Sequence, residues 1–495
     1  MFGGLTKTSS RIAIAAALGL TFGGFVLSHS PAKAADFGVG GDCCADLEER
    51  VAELEATTVR KGNKKVSLTI SGWVTKSANW WDDGEESKMY VGDKGTTLSS
   101  HFQLSGSATI APGWSGGYTM SIEAPGTSFG FLANQVNDDT EGGVAATVTG
   151  NANVNALLSY MWVKSDKYGT LNWGLLSQAT DNVALLPDLS GTIIESNAVM
   201  FEGSAFGLRA KGGVGSEKGI LPGTWGSFLT CNTSGLGIGA DCNGVPYNAV
   251  RYDSPTFGGF SASTSYGEDG IWDVALKYAA DWNNIKVSAA AGYTKAQDEN
   301  YVFSGGGLNG FKLDSDLFQV GASAMHVPSG LFIYGLYQKE EASFDPSTVN
   351  AVRAPASDSD VWYLKGGIKR TWNPLGATVL FAEYAQYNDQ FGGASGNVCA
   401  VGGALNGGGG ASVAQGFVGV APVCVNNATV AVTGSEVQRY GLGAVQEIDS
   451  AAMHLYARWQ HLELDVDLVN TTTGANVGQD FEDYDLFQVG GVIFF

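Results

Sequence analysis

The chain has 495 residues, 44% of them hydrophobic but only 16% charged, with 70 Gly, 12 Trp, 18 Tyr and 24 Phe. That balance excludes a disordered chain, and no apolar run reaches the roughly 18 residues of a membrane-spanning helix. A net charge of −21 excludes a nucleic-acid partner, and a soluble enzyme would carry about 25% charged residues and about half the glycine.

Lys7 and Arg11 precede an apolar stretch at residues 12–27, and Pro31-Ala32-Lys33-Ala34 follows with a small-x-small pattern. Residues 1–34 therefore read as a signal peptide of an exported chain, with the mature start at Ala35. Residues 35–65 read as a short helix and linker. Asp42 is a candidate N-cap, and Cys44, Leu47, Val51, Leu54 and Thr58 follow at spacings of three and four. Glu48, Glu49, Arg50, Glu53 and Glu55 take the other faces, which makes a heptad seam. A helix this short is unstable alone in water. Either an oligomer holds it, which is the expectation here, or it lies against another surface of the protein.

From Val66 the period becomes two. Trp272, Val274, Leu276 and Tyr278 alternate with Asp273, Ala275 and Lys277, and Met453, Leu455, Ala457 and Trp459 alternate with His454, Tyr456, Arg458 and Gln460. Segments of ten to fourteen residues suit a tilted membrane crossing better than a soluble sheet. Tight turns at 165–167, 254–256, 281–284, 327–330, 373–376 and 447–450 alternate with long loops such as 125–153, 297–314 and 389–434. Trp80, Trp81, Trp162, Trp173, Trp272, Trp282, Trp362 and Trp372 fall near strand ends, where interfacial girdles sit. Open edges do not survive in lipid, so the sheet must close.

The expected fold is all-β, a sixteen-stranded antiparallel transmembrane barrel over residues 66–495. Its strands are read at 66–80, 97–110, 116–124, 154–164, 169–178, 246–254, 257–266, 271–280, 284–296, 315–326, 330–341, 360–372, 376–388, 435–448, 451–467 and 481–495. Sixteen strands leave a wet lumen. The stretch 179–245 is too long for an ordinary connection. Its economical use is to fold inward and narrow the pore; the alternative is an extracellular loop. Asp181, Asp188 and Glu195 are the candidate constriction acids. Arg251, Lys277, Lys365, Lys369, Arg439 and Arg458 are the candidate bases on the facing wall. Opposed signs across the gap would orient dipolar solutes, and the acidic net charge would favour cations.

Cys231 with Cys242, and Cys399 with Cys424, each fall within one expected loop. Two local disulfides are expected in an oxidising compartment in preference to metal binding. Gly305-Gly306-Gly307-Leu308-Asn309-Gly310 matches the dinucleotide string but has no βαβ context. His454 and His461 fall on opposite strand faces, so neither a zinc site nor a catalytic triad is expected. No cofactor and no enzymatic activity are expected. Phe487, Val489, Gly491, Ile493 and Phe495 share one face of the last strand, with Phe495 resembling an assembly signal for outer-membrane insertion.

Three stretches carry a family resemblance: Asp36-Phe37, residues 43–58 (CCADLEERVAELEATT) and residues 64–72 (KKVSLTISG). Together with Val250-Arg251-Tyr252-Asp253-Ser254-Pro255 and the terminal Phe495, they resemble alphaproteobacterial, Rhizobiales-type porins. The resemblance implies a homotrimer in outer-membrane lipid that passes small hydrophilic solutes and ions by passive diffusion. It also implies an inward constriction loop, and the heptad positions Cys44, Leu47, Val51 and Leu54 are then the expected trimer seam. The resemblance adds that the free Ala35-Asp36 end would tether the barrel to peptidoglycan; independently of it, a bond between the adjacent Cys43 and Cys44 would be strained, so a bridge between subunits is the sharper expectation for them. A substrate-selective outer-membrane channel is the alternative function.

Overall fold

The computed structural model describes residues 65–495 except 96–97, 125–132, 136–154, 200–201, 212–219, 232–238, 302–310, 345–357, 391–423, 426–427 and 471–472. The expected signal peptide, the helix with Cys44, Leu47, Val51 and Leu54, and Cys399 lie outside the described residues.

Among the described residues sixteen strands close into one antiparallel barrel. They are β1 Thr69–Asp82, β2 His101–Ala111, β3 Trp114–Glu123, β4 Asn155–Ser165, β5 Gly169–Leu176, β6 Tyr247–Asp253, β7 Phe260–Gly267 and β8 Trp272–Trp282. The second half comprises β9 Ile285–Tyr301, β10 Phe311–His326, β11 Leu331–Phe344, β12 Ser359–Asn373, β13 Gly376–Asn388, β14 Ala428–Ile448, β15 Met453–Asn470 and β16 Tyr484–Phe494. Each strand pairs with its neighbour, and β1 closes on β16 from Trp73 opposite Phe494 to Asp82 opposite Asp485. The terminal Phe495 and Gly72 exchange backbone hydrogen bonds of 3.0 and 3.1 Å at the seam. Closure leaves no edge unpaired, as hydrocarbon requires.

The side-chain distribution inverts that of a soluble protein. Outward rows carry exposed Val74, Leu276, Ile333, Leu364, Leu442, Leu455 and Val489, while the alternating inward rows bury Thr75, Asp273, Gln338, Lys365, Arg439, His454 and Gln488. Apolar outside with polar inside is stable only with lipid around it. Aromatic pairs mark both rims. Trp272–Tyr293 and Tyr337–Trp362 lie towards the loop ends, with centroids 5.6 and 4.4 Å apart. Phe260–Tyr278 lies at the turn ends at 4.4 Å. The two Asp-Leu-Phe-Gln-Val-Gly stretches, from Asp316 and Asp485, take the same register: both phenylalanines face out, and Leu317, Leu486, Gln319 and Gln488 face in. Like chemistry at two strand starts explains the repeat.

Short turns close the opposite rim. Trp282 and Ile285 are joined by Asn283 and Asn284 at φ 46° and 70°, the doubly left-handed geometry that asparagine tolerates in a two-residue hairpin.

Four expectations change. Short and long connections do not alternate strictly, because a 3-10 turn at Glu268–Gly270 closes β7 onto β8 on the long-loop side. Strands β9, β10 and β14 run further into loops 297–314 and 389–434, since ladder hydrogen bonds continue after apolar alternation stops. The second strand begins at His101, not residue 97, and the chain before it reaches inward. Trp81 and Trp162 leave the girdle. Trp81 is buried against Phe206, with ring centroids 4.8 Å apart. Trp162 shares the inward parity of Gly117, where an added Cβ would lie 2.4 Å from its ring.

Candidate functional site

The chain between β5 and β6 turns into the lumen, and glycines on the wall let it lie close. A Cβ on Gly321 would sit 2.0 Å from the Ala184 carbonyl oxygen, and one on Gly292 would sit 2.7 Å from Thr180 Cγ2. Only a residue without a side chain permits that approach. Next, Tyr334 Oη on β11 donates to Ala184 O at 2.6 Å, and Ser323 Oγ on β10 donates to Pro187 O at 2.6 Å.

Charged contacts then fix the middle of the loop. Lys365 Nζ on β12 donates to Asp188 Oδ2 and to Ser196 O, both at 2.7 Å, and to Thr192 Oγ1 at 3.1 Å. Lys369 Nζ reaches Ser190 O at 3.2 Å and pairs with Glu447. Ser196 Oγ and Tyr363 Oη donate to Glu383 Oε2 at 2.6 and 2.5 Å. Arg439 Nη2 donates to Asn197 O at 2.6 Å, with its guanidinium 5.6 and 5.8 Å from the Tyr363 and Tyr387 ring centroids.

Further along, Glu195 Oε1 meets His454 Nδ1 at 2.6 Å. Arg458 donates to Glu195 O and to Glu202 Oε2, both at 2.8 Å. Lys94, carried inward by the chain before β2, donates to Glu202 Oε1 at 2.7 Å. Burial alone would raise the pKa of Glu202, but Lys94 and Arg458 outweigh it and hold the carboxyl down at about 2. Burial likewise opposes ionisation of Glu195, and His454 overcomes it.

The loop then crosses to the seam. Phe206 packs on Tyr484 at 5.1 Å, and Arg209 Nε donates to Asp83 Oδ2 at 2.8 Å. On the way back Cys231 and Cys242 are bonded, with Cα atoms 5.5 Å apart, and Gln338 and Gln390 donate to Gly239 O at 3.0 and 2.7 Å. Those two sulfurs and Glu340 form a close group, but the bond between the sulfurs removes them as metal ligands.

At the loop's root the charges are arranged differently. Asn182 Nδ2 donates to Asp181 Oδ1 at 2.6 Å, Ser177 Oγ donates to Asp181 Oδ2, and Asn182 N donates to Asp241 Oδ1 at 3.2 Å. Burial, then the charge of Asp241, pushes Asp181 well above the usual carboxylate range. Burial pushes Asp241 up to about 7.

The candidate residues therefore divide. Asp188 touches Lys365. Glu195 lies between His454 and Arg458, and Arg439 holds the loop backbone. Arg251 instead pairs with Asp253 at 2.7 Å while donating to Ser177 O at 3.1 Å. Lys277 is buried beside the root. The loop acids are bonded to wall groups or buried at the root, whereas the sequence reading set them opposite the bases across an open gap. Dense desolvation explains the difference: a buried carboxylate needs contact with its partner, not proximity to it. Lys94, Glu202, Glu383 and His454 were not anticipated. Glu202 alone had a local signal, as a further acid within the stretch 179–245.

The sequence model of the Gram-negative porin family matches residues 30–491. No curated protein matches. Solved structures similar to this chain include the trimer form of in-vitro folded OmpT of Vibrio cholerae. It is 12% identical with a TM-score of 0.46, covering 87% of this chain and 100% of that one. Pseudomonas putida OprB at high pH is 10% identical with a TM-score of 0.46, over 91% and 97% of the two chains. A mutant Rh. blastica porin is 12% identical with a TM-score of 0.39, over 86% and 100%. With the family model spanning nearly the whole barrel, the chain belongs to the Gram-negative porins, integral outer-membrane β-barrels that act as passive diffusion channels.

Proposed function

We propose that the chain assembles as a homotrimer of the Rhizobiales porin type, and that loop 179–245 sets the narrowest section of each pore for small hydrophilic solutes and ions. The observation that carries the constriction is the loop's course: its contacts run from β7 round to β16 and back to β1. A segment bonded to that much of the inner wall must reduce the open cross-section. No catalytic step is part of this reading, and the trimer seam it proposes is the heptad Cys44, Leu47, Val51 and Leu54, which lies outside the described residues. Planar-bilayer recordings test the channel. Large, non-saturating steps support it, and block by a single solute would favour the selective alternative.

Ion preference follows from the charge arrangement. Asp188 and Glu195 are tied to wall groups, so the chain's overall acidic excess, 49 acidic against 28 basic residues, acts on permeating ions mainly from outside the constriction. Fixed negative charge concentrates cations within about 8 Å at physiological salt. The pore is therefore weakly cation-selective, and an anion-preferring reversal potential under a KCl gradient would reject this.

A further inference from the structure

Outside the lumen, one stretch of the lipid-facing wall is hollow. A groove of about 740 Å³ runs across β12–β16, bordered by Leu380, Leu442, Trp459 and Phe487, with Gly366, Ala382 and Ala457 between them. That size lies within the roughly 300–1,000 Å³ of small-molecule sites. Strand register sets Gly366, Ala382, Leu442, Trp459 and Phe487 side by side in one row. Packing within the barrel does not require the hollow. A Cβ on Gly366 would come no closer than 3.8 Å, to the Phe332 carbonyl oxygen, and its φ is not positive. Gly367 and Gly443 in the same wall differ, because a Cβ there would lie 2.1 Å from Leu380 O or 2.2 Å from the Phe381 ring. Glycine within a strand costs stability and marks a place where another molecule approaches closely. For Gly366 the barrel itself supplies no such neighbour.

The loop end of the groove opens on polar groups that also face out. In the next outward row Tyr384, Tyr440, His461 and Asp485 stand side by side. Trp459 belongs to both places: its ring borders the groove while its Nε1 donates to Asp485 Oδ1 at 2.8 Å. His461 stacks on Trp459 with centroids 5.9 Å apart, and Tyr440 lies 6.3 Å from His461 and 5.3 Å from Tyr384. His461 meets Asp485 through Nδ1 at 3.1 Å and Glu463 through Nε2 at 3.4 Å. Two carboxylates flank one imidazole, so the group is negative at neutral pH in either charge state of His461. The only bases on β13–β16, Arg439 and Arg458, face the lumen.

We infer that this face holds one phospholipid with a primary-ammonium headgroup, an acyl chain in the groove and the ammonium among Asp485, Glu463 and the Trp459 and Tyr440 rings. Lipid is the medium around the barrel, so hydrocarbon chains already lie against this wall, and the groove gives one of them a fixed place. Charge selects the head. A primary ammonium donates hydrogen bonds to carboxylates and is attracted to aromatic faces. A quaternary ammonium keeps the second attraction and loses the first. An anionic head has neither and is repelled by both carboxylates. The aromatic row stands where the apolar band gives way to polar side chains, which is the depth of a headgroup. The site rests on the barrel's place in lipid and is independent of the constriction.

The test uses the full-length protein purified from outer membranes, delipidated by detergent exchange and studied by native mass spectrometry. Phosphatidylethanolamine, phosphatidylcholine and phosphatidylglycerol with identical acyl chains are the probes. One phosphatidylethanolamine per chain should be retained, about tenfold more tightly than phosphatidylglycerol, with phosphatidylcholine between them. Asp485→Asn with Glu463→Gln should abolish the preference among heads. Gly366→Leu should fill the groove and release all three lipids, while Val274→Leu, an outward position on β8, should behave as the wild type. Where Gly366→Leu does not reach the heat-modifiable folded form, Ala382→Leu fills the same groove. Equal retention of the three lipids by the wild type overturns the inference, as does unchanged retention by the filled or the charge-neutral variant. A preference that reverses towards phosphatidylglycerol when CaCl₂ is added also overturns it, since the carboxylates would then bridge an anionic head through a metal. Loss of oligomer in Gly366→Leu with lipid retention unchanged would show that a second copy covers the groove, which overturns it too.

Discussion

Replacing Lys365 by Met removes the ammonium that meets Asp188, Thr192 and Ser196 at once, at 2.7, 3.1 and 2.7 Å. Lys365 is wholly buried and the Asp188 side chain is 1% exposed, so water cannot take over the lost contact. Leaving a buried carboxylate without its partner costs about 3–5 kcal/mol, on the order of two to three and a half powers of ten in a local equilibrium. The barrel ladder is untouched by this change, so the cost falls on docking of residues 188–196. The variant should give higher and noisier single-channel conductance, and its loop should be cut faster by protease while the barrel melts near the wild-type temperature. Adding Asp188→Leu removes the orphaned charge and should recover most of the lost docking. Wild-type conductance and cleavage in Lys365→Met would refute the account of how the loop is held. Failure of Asp188→Leu to improve on the single variant would show that the buried charge was not the cause.

Acid should loosen the same loop further along. Glu202 is held down at about 2 against an ordinary 4.5, so its contribution is complete above pH 4.5 and is lost as pH falls towards 2. Glu195 is shifted in the same direction, and protease accessibility of the loop measured against pH should rise through that acid window, with Glu202→Gln loosening it at neutral pH. Gly321→Val should displace the loop near Ala184, because the Cβ alone meets the carbonyl oxygen at 2.0 Å; overpacking of this kind costs about 1–3 kcal/mol, and unchanged pore conductance would contradict it. Deleting Phe495 removes an outward ring and the backbone pair with Gly72. The yield of heat-modifiable folded barrel should fall, and a wild-type yield would remove its role as an assembly signal.

Much of the barrel was legible because lipid imposes a rule on every strand. A residue that faces hydrocarbon must be apolar and its neighbours in sequence must not, so Leu455 and Arg458 declare their sides without knowledge of any partner. The rule weakens where lipid ends. Strands β9, β10 and β14 continue above the apolar band, and only ladder pairing marks their limits. Trp81 and Trp162 show a second weakness, since nearness to a strand end says nothing of which face a tryptophan takes. Parity settles that: Trp80 is exposed, so Trp81, one residue on, faces in.

The loop's inward course was legible from length alone, but its partners were not. Glu202 finds Lys94 across 108 residues, and Arg458 finds Glu195 across 263. No local periodicity encodes such a pairing, because each partner is only a polar residue of correct parity until the barrel closes. The difference is physical. Strand parity is dictated by a uniform solvent, whereas the constriction is dictated by individual contacts in a buried polar place, where each missing partner costs more than in water. Sequence reading therefore finds the acids and bases by type, as it did for Asp188 and Lys365. It misses groups whose role exists only through geometry, such as His454 beside Glu195 and Lys94 beside Glu202. Those are also the positions where a single substitution should change the pore without changing the barrel.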